Sequence, residues 1–139
     1  MREAITRRAD AIEEAYEYML AYAAQGLDGE SGGKSGELRG YLDRTDAALT
    51  GLAGAYAALV ETEQLLPTDR YAAFIEVLEE DARKAQAAVR LVMAQPAISS
   101  QLIDNLNASI HVRTLLTDLF VLDEALKRRT VGSAPSPAP

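Results

Sequence analysis

One histidine, no cysteine and twenty-one carboxylates set the chemistry open to this chain. Without cysteine there are no disulfides, thiolate metal sites or thiol nucleophiles. A serine or threonine nucleophile needs a base and an orienting acid, and His111 is the sole imidazole. Carboxylates recur as Glu13 and Glu17 and as Glu76, Glu79 and Glu80, but Glu79 stands four residues before Arg83 and Glu80 four before Lys84. That spacing predicts surface ion pairs on a helix. The six tyrosines are 16, 18, 22, 41, 56 and 71. Tyr16, Tyr56 and Tyr71 fall on apolar stripes, where a ring fills core volume while its hydroxyl reaches an edge. The alternative use of Tyr16 and Tyr56, with Arg113 as a charged contact, is to hold a small apolar or aromatic ligand.

Three comparisons with known sites fail on particular residues. Gly33-Lys34-Ser35 matches the end of the phosphate-cradling loop, but that motif needs glycine at position 28, where Asp28 stands, and a preceding strand. His111, with Arg113 beside it, resembles the single histidine of a helical phosphotransfer domain in architecture only. There lysine and glycine follow three and four residues later, whereas Thr114 and Leu115 stand here. A ferritin-like metal centre needs a glutamate–histidine pair on each of two helices, and one histidine cannot supply it. A methionine–histidine haem site would use Met19 and His111, which an antiparallel count at the helical rise separates by about 16 Å. No cofactor and no metal are expected, and the chemistry reads as non-enzymatic.

The elements that carry these residues follow from composition and period. The chain has 139 residues, 48% of them hydrophobic, enough for one core. Alanine, leucine, glutamate and arginine prevail over β-branched and aromatic types, which favours helix. A net charge of −7 repels phosphate backbones and anionic lipid, so neither nucleic acid nor membrane is an expected partner. No run approaches the roughly 18 consecutive apolar residues of a membrane span, and the arginine-rich first ten residues do not form a signal core. Cytoplasmic residence is the expectation.

Four amphipathic helices are predicted, packed as an antiparallel up-down-up-down four-helix bundle with coiled-coil-like seams over 1–130. In the first, Ile5, Ala9, Ile12, Tyr16, Met19 and Ala23 recur at steps of four and three, and Gly26 is the expected stop. Asp28 to Gly36, with four glycines and two serines, reads as a surface loop. The second helix follows Leu38, Leu42, Thr45, Leu49, Leu52, Tyr56, Leu59, Glu63 and Leu66 without interruption to Pro67. Thr68 is an expected cap for the third, which runs through Tyr71, Ile75, Leu78, Ala82, Ala85, Val89 and Val92 to Pro96. Ser99 caps the fourth, with Ile98 and Ile103 as a staple across the cap, and Lys127, Arg128 and Arg129 suit its C-terminal end. Residues 131–139, holding three of the five prolines, read as a flexible tail.

Two features exceed a plain bundle. Ala47, Gly51, Gly54 and Ala58 form a band of small residues on the second helix, whose glycines cost helix stability unless another element packs closely there. In the fourth helix, the arc of Ile103, Leu106 and Ile110 is offset by roughly 120° from that of Val112, Leu115, Leu116, Leu119, Leu122 and Leu126. Either that helix turns near 109–113, or one arc meets something outside the monomer. The expectation is a non-catalytic interaction module that self-associates as a dimer and binds a protein partner. The contact is expected at Leu115, Leu119, Phe120, Val121 and Leu122 and at Gly51 and Gly54.

Overall fold

The structure, a computed structural model, describes residues 1–30 and 33–131; side chains are described for 1–30 and 36–127. Among the described residues there are six α-helices and no strand: α1 (Arg2–Ala23), α2 (Gly33–Leu49), α3 (Leu52–Thr62), α4 (Thr68–Met93), α5 (Ser100–Ala108) and α6 (Ile110–Val131). The all-α class is as expected. The count of four is not, because the second and fourth predicted helices are each broken in two.

The first break is at Thr50 and Gly51. Gly51 has φ +75°, a left-handed conformation that interrupts the ladder between α2 and α3. The carbonyls freed by the break need donors. Arg8 of α1 supplies two, from Nη1 to the Ala48 carbonyl at 3.0 Å and to the Thr50 carbonyl at 2.6 Å. Gln86 of α4 donates to the Asp46 carbonyl at 3.1 Å and to Thr50 Oγ1 at 2.8 Å. Arg90 adds an ion pair to Asp46 at 2.7 Å.

The second break is at Ser109, which has φ −57° and ψ 129° and therefore cannot continue α5. It serves both flanking helices. Its N–H donates to the Leu106 carbonyl, closing α5, while its Oγ accepts from the His111 N–H and its carbonyl accepts from Arg113 N–H, opening α6. The offset between the two apolar arcs is thus resolved by a change of helix axis. Ile103 and Leu106 on one side of Ser109, and Val112, Leu115, Leu119, Leu122 and Leu126 on the other, all enter the same core. Ile110, assigned by its spacing to the first arc, is exposed instead.

The remaining boundaries follow local chemistry. Gly26 takes a left-handed φ of 68° just beyond α1. α2 begins at Gly33, inside the stretch expected to be loop, while Ser31 and Gly32 lie outside the described residues. After α3, Gln64 at φ 51° lets the Leu65 N–H reach the Val60 carbonyl and close the helix. Thr68 does not cap α4: it is the first helical residue, and its hydroxyl donates back to the Leu65 carbonyl. Ser99 does cap α5, its hydroxyl accepting from the Leu102 N–H at 3.0 Å, with Ile98 and Ile103 fully buried on either side. The tail from 132 onward and the side chains of Arg128 and Arg129 lie outside the described residues.

α1 packs mainly on α2 and α5, α4 on α3, α6 and α2, and α5 also touches α4 and α6. A polar clasp holds one end of this arrangement. Glu30, its side chain only 4% exposed, accepts from Arg39 through Oε1 and from the Ile98 N–H through Oε2 at 2.9 Å. Burial alone would raise its pKa, but these donors and its own backbone N–H hold the carboxyl below its ordinary value. Arg39 also donates to the last carbonyls of α4, Met93 at 3.0 Å and Gln95 at 2.8 Å. Buried Ser100 exchanges hydrogen bonds with both backbone groups of Leu27 and donates to the Tyr22 carbonyl, while the Tyr22 hydroxyl donates to the Ile98 carbonyl.

The two glycines of the predicted second helix should therefore respond oppositely. Gly51→Ala is expected to lose about 1 to 2 kcal/mol in a urea melt, the cost of a left-handed alanine. Gly54 lies inside α3 with open space where a side chain would stand, so Gly54→Ala should be neutral or gain up to about 1 kcal/mol. Equal effects at both positions would contradict the break.

Candidate interaction site

α6 presents three faces. Leu115, Leu119 and Leu122 point into the core and are fully or almost fully buried. They were expected to contact a partner, and the structure corrects that: with the axis turned at Ser109 they belong to this chain's own interior. Phe120 and Val121, by contrast, are 53% and 51% exposed on the outward side. They sit on opposite shoulders of the helix, each at the lip of a groove.

The α4–α6 groove has a volume of about 230 Å³ and is lined by Arg70, Tyr71 and Phe74 from α4 and by Val121, Leu122 and Ala125 from α6. Val77, 44% exposed, is on α4 one turn beyond Phe74. The contribution of α4 was missed from sequence, although Phe74 and Val77 widen the arc set by Ile75 and Leu78. That broadening was the available signal.

The α1–α6 groove has a volume of about 320 Å³, bounded by Glu13, Tyr16 and Glu17 on one side and by Arg113, Thr117 and Phe120 on the other. Tyr16 and Arg113 are thus brought together. Tyr56 is not: it is buried beside α6, where its hydroxyl donates to Asp123 Oδ1 at 2.9 Å. Burial pushes the Tyr56 hydroxyl's pKa up, and the Asp123 carboxylate adds to the shift. Glu13 is raised too, by burial first and then by Asp10, Asp123 and Glu17.

The interior itself offers no ligand chamber at Tyr16. The space enclosed there by Ile12, Met19, Leu49, Val89 and Leu115 is about 10 Å³ and lined by apolar surface, at most the size of one water. The small-residue band is also corrected. Ala47, Gly51, Gly54 and Ala58 are all exposed, so among the described residues no helix covers them. Gly51 is explained by its φ, and nothing in the structure requires glycine at 54.

No protein-family model, curated protein or solved structure matches the chain. His111 is exposed on the first turn of α6, and the side chains of Lys34 and Ser35 lie outside the described residues. Among the described residues no three histidine, aspartate or glutamate side chains group as metal ligands, and no helix is long and apolar enough to cross a membrane.

Adjacent residues of α6 give the sharpest check on its orientation. Leu119→Ala should cost about 2 to 5 kcal/mol in a denaturant melt, the range for a buried leucine that leaves a cavity. Phe120→Ala should stay within about 0.5 kcal/mol in the isolated chain, as for other solvent-facing positions. A Phe120 effect as large as that of Leu119 would mean that α6 is rotated from the orientation described.

Proposed function

We propose that this chain is a non-catalytic helical interaction module that self-associates, as a dimer, and docks a protein partner through the outward face of α6. The observation that carries the reading is the pair Phe120 and Val121, large apolar side chains about half exposed on a helix whose opposite side is fully committed to the core. Their support for the reading lies in their grouping with Phe74 and Val77 rather than in exposure alone, since single exposed apolar residues such as Leu91 and Ile110 are ordinary. Val121 and Phe74 together form a shallow apolar track between α4 and α6, the shape into which a second amphipathic helix fits.

The reading treats α2 with α3, and α5 with α6, as two broken arms of an antiparallel four-arm bundle in a cytoplasmic setting. The contact surface excludes Leu115, Leu119 and Leu122, which are buried in the core, and involves no close packing at Gly51 and Gly54. A second reading is favoured by one observation, the approach of Tyr16 to Arg113 across the α1–α6 groove. In that reading a small aromatic anion lies against Tyr16 with its charge toward Arg113. Saturable quenching of tyrosine fluorescence by an aromatic carboxylate, abolished in Arg113→Ala, would support it over self-association.

For the leading reading the discriminating substitution is Val121→Glu. In an isolated bundle a solvent-facing charge changes stability by less than about 0.5 kcal/mol, so the variant should remain helical by circular dichroism. Buried at an interface without a partner, the same charge weakens association by several kcal/mol. The parent is expected to sediment as a dimer and Val121→Glu as a smaller species. A parent that stays monomeric at tens of micromolar contradicts self-association.

A further inference from the structure

We propose that Asp81 of α4 and Asp118 of α6 share one proton across the seam between the two helices, making the closure of that seam sensitive to pH. Asp118 is 6% exposed, and the Oδ2 atoms of both carboxyls are sealed from solvent without receiving a hydrogen bond from any protein donor. Two ionised carboxylates can only accept, so facing one another they are both unsatisfied and mutually repelled. One proton turns the same contact into a carboxyl–carboxylate hydrogen bond, a short and strong class.

Asp81, half-buried, stands beside Ala82 at the edge of the buried stripe of α4, and buried Asp118 stands beside Leu119 on α6.

Among the described residues no cation neutralises the pair. Asp81 is the one charged group that acts on Asp118. Lys84 on α4 is exposed about one turn beyond Asp81, and His111 is exposed about two turns before Asp118 on α6. On the α1 side, Glu13 and Glu17 line the groove that α6 forms with Leu116 and Thr117. From α3, Tyr56 engages Asp123 rather than Asp118.

The direction of the pH effect follows from the protonated state. Burial first, then the hydrogen bond and the charge of Asp81, push the Asp118 carboxyl from its ordinary 3.8 up to about 7. A folded chain that keeps this proton binds more protons than the unfolded chain between those values. The stabilisation is therefore complete below about 4 and is lost as pH rises through about 7. Glu30 and Glu63, held below their ordinary values by bonded partners, act in the opposite sense and lose their contribution in acid. The device is thus visible as a difference between wild type and a variant, not as the raw profile.

The test is Asp118→Asn, which keeps the shape and supplies an N–H donor to Asp81 at every pH. Thermal midpoints are measured for both proteins from pH 5 to pH 8. The variant should exceed the wild type at pH 8, with the gain shrinking or reversing by pH 5. Curves that run parallel across this range would overturn the proposal. Carbon-13 NMR of the wild-type aspartate carboxyls gives an independent readout, which stands even where the variant fails to fold. One carboxyl should titrate near 7, and a full set titrating below about 5 would overturn the shared proton. Millimolar magnesium or calcium at pH 8 should leave the gap between the two proteins unchanged. A midpoint that rises in the wild type alone would show that a cation, not a proton, joins the pair.

Discussion

The structure depends on keeping six apolar stripes in phase with a single core. α4 does this unbroken over 26 residues, whereas the two offset arcs of α5 and α6 meet the core only because the helix axis changes at Ser109. The ladder is also broken at Gly51, where the stripe keeps its spacing. Each break releases backbone groups that must be bonded again, since an unpaired buried amide or carbonyl costs about 1 to 3 kcal/mol. Arg8 takes two of the carbonyls freed at the first, and Ser109 itself serves both helix ends at the second.

What happens at Ser109 decides which residues of α6 are available to anything else. The axis change brings Val112, Leu115, Leu119, Leu122 and Leu126 inward and leaves Phe120 and Val121 outside. The Glu30–Arg39 clasp and the bonds around Ser100 hold the start of α5. Surface grooves flank α6 on the α4 side and the α1 side. One of them is apolar and the other carries Arg113 opposite two glutamates. A partner helix and a small anion would therefore use different sides of the same element.

Much of the helical layout was legible in the sequence, since the stripes of α1 and α4, the Ser99 cap and the stop at Gly26 all express local rules. The conflict between the two arcs near Ser109 was visible as a problem with two solutions. Only coordinates chose the turn over an external partner for the leucines. The break at Gly51 was hidden for a definite reason: Leu49, Leu52 and Tyr56 keep their four-three spacing across it, so period alone reads one helix. By spacing Gly51 reads as a packing residue, whereas its positive φ is what calls for glycine. Asp81 and Asp118 escaped notice because a single aspartate reads as solvated, and their meeting depends on how α4 and α6 face each other. Their places next to the stripe residues Ala82 and Leu119 were the one clue.

The central claim is that the outward face of α6 is buried against another copy of the chain. The absence of cysteine makes a direct measurement possible, because one introduced thiol is a unique labelling site. A spin label at Thr117→Cys, exposed on that face one turn from Phe120 and Val121, reports intermolecular distance by pulsed dipolar spectroscopy. The account predicts a defined distance between labels on two chains that disappears when labelled protein also carries Val121→Glu. Labels that show no intermolecular coupling, in a sample that sedimentation shows to be dimeric, would place the interface elsewhere and contradict it.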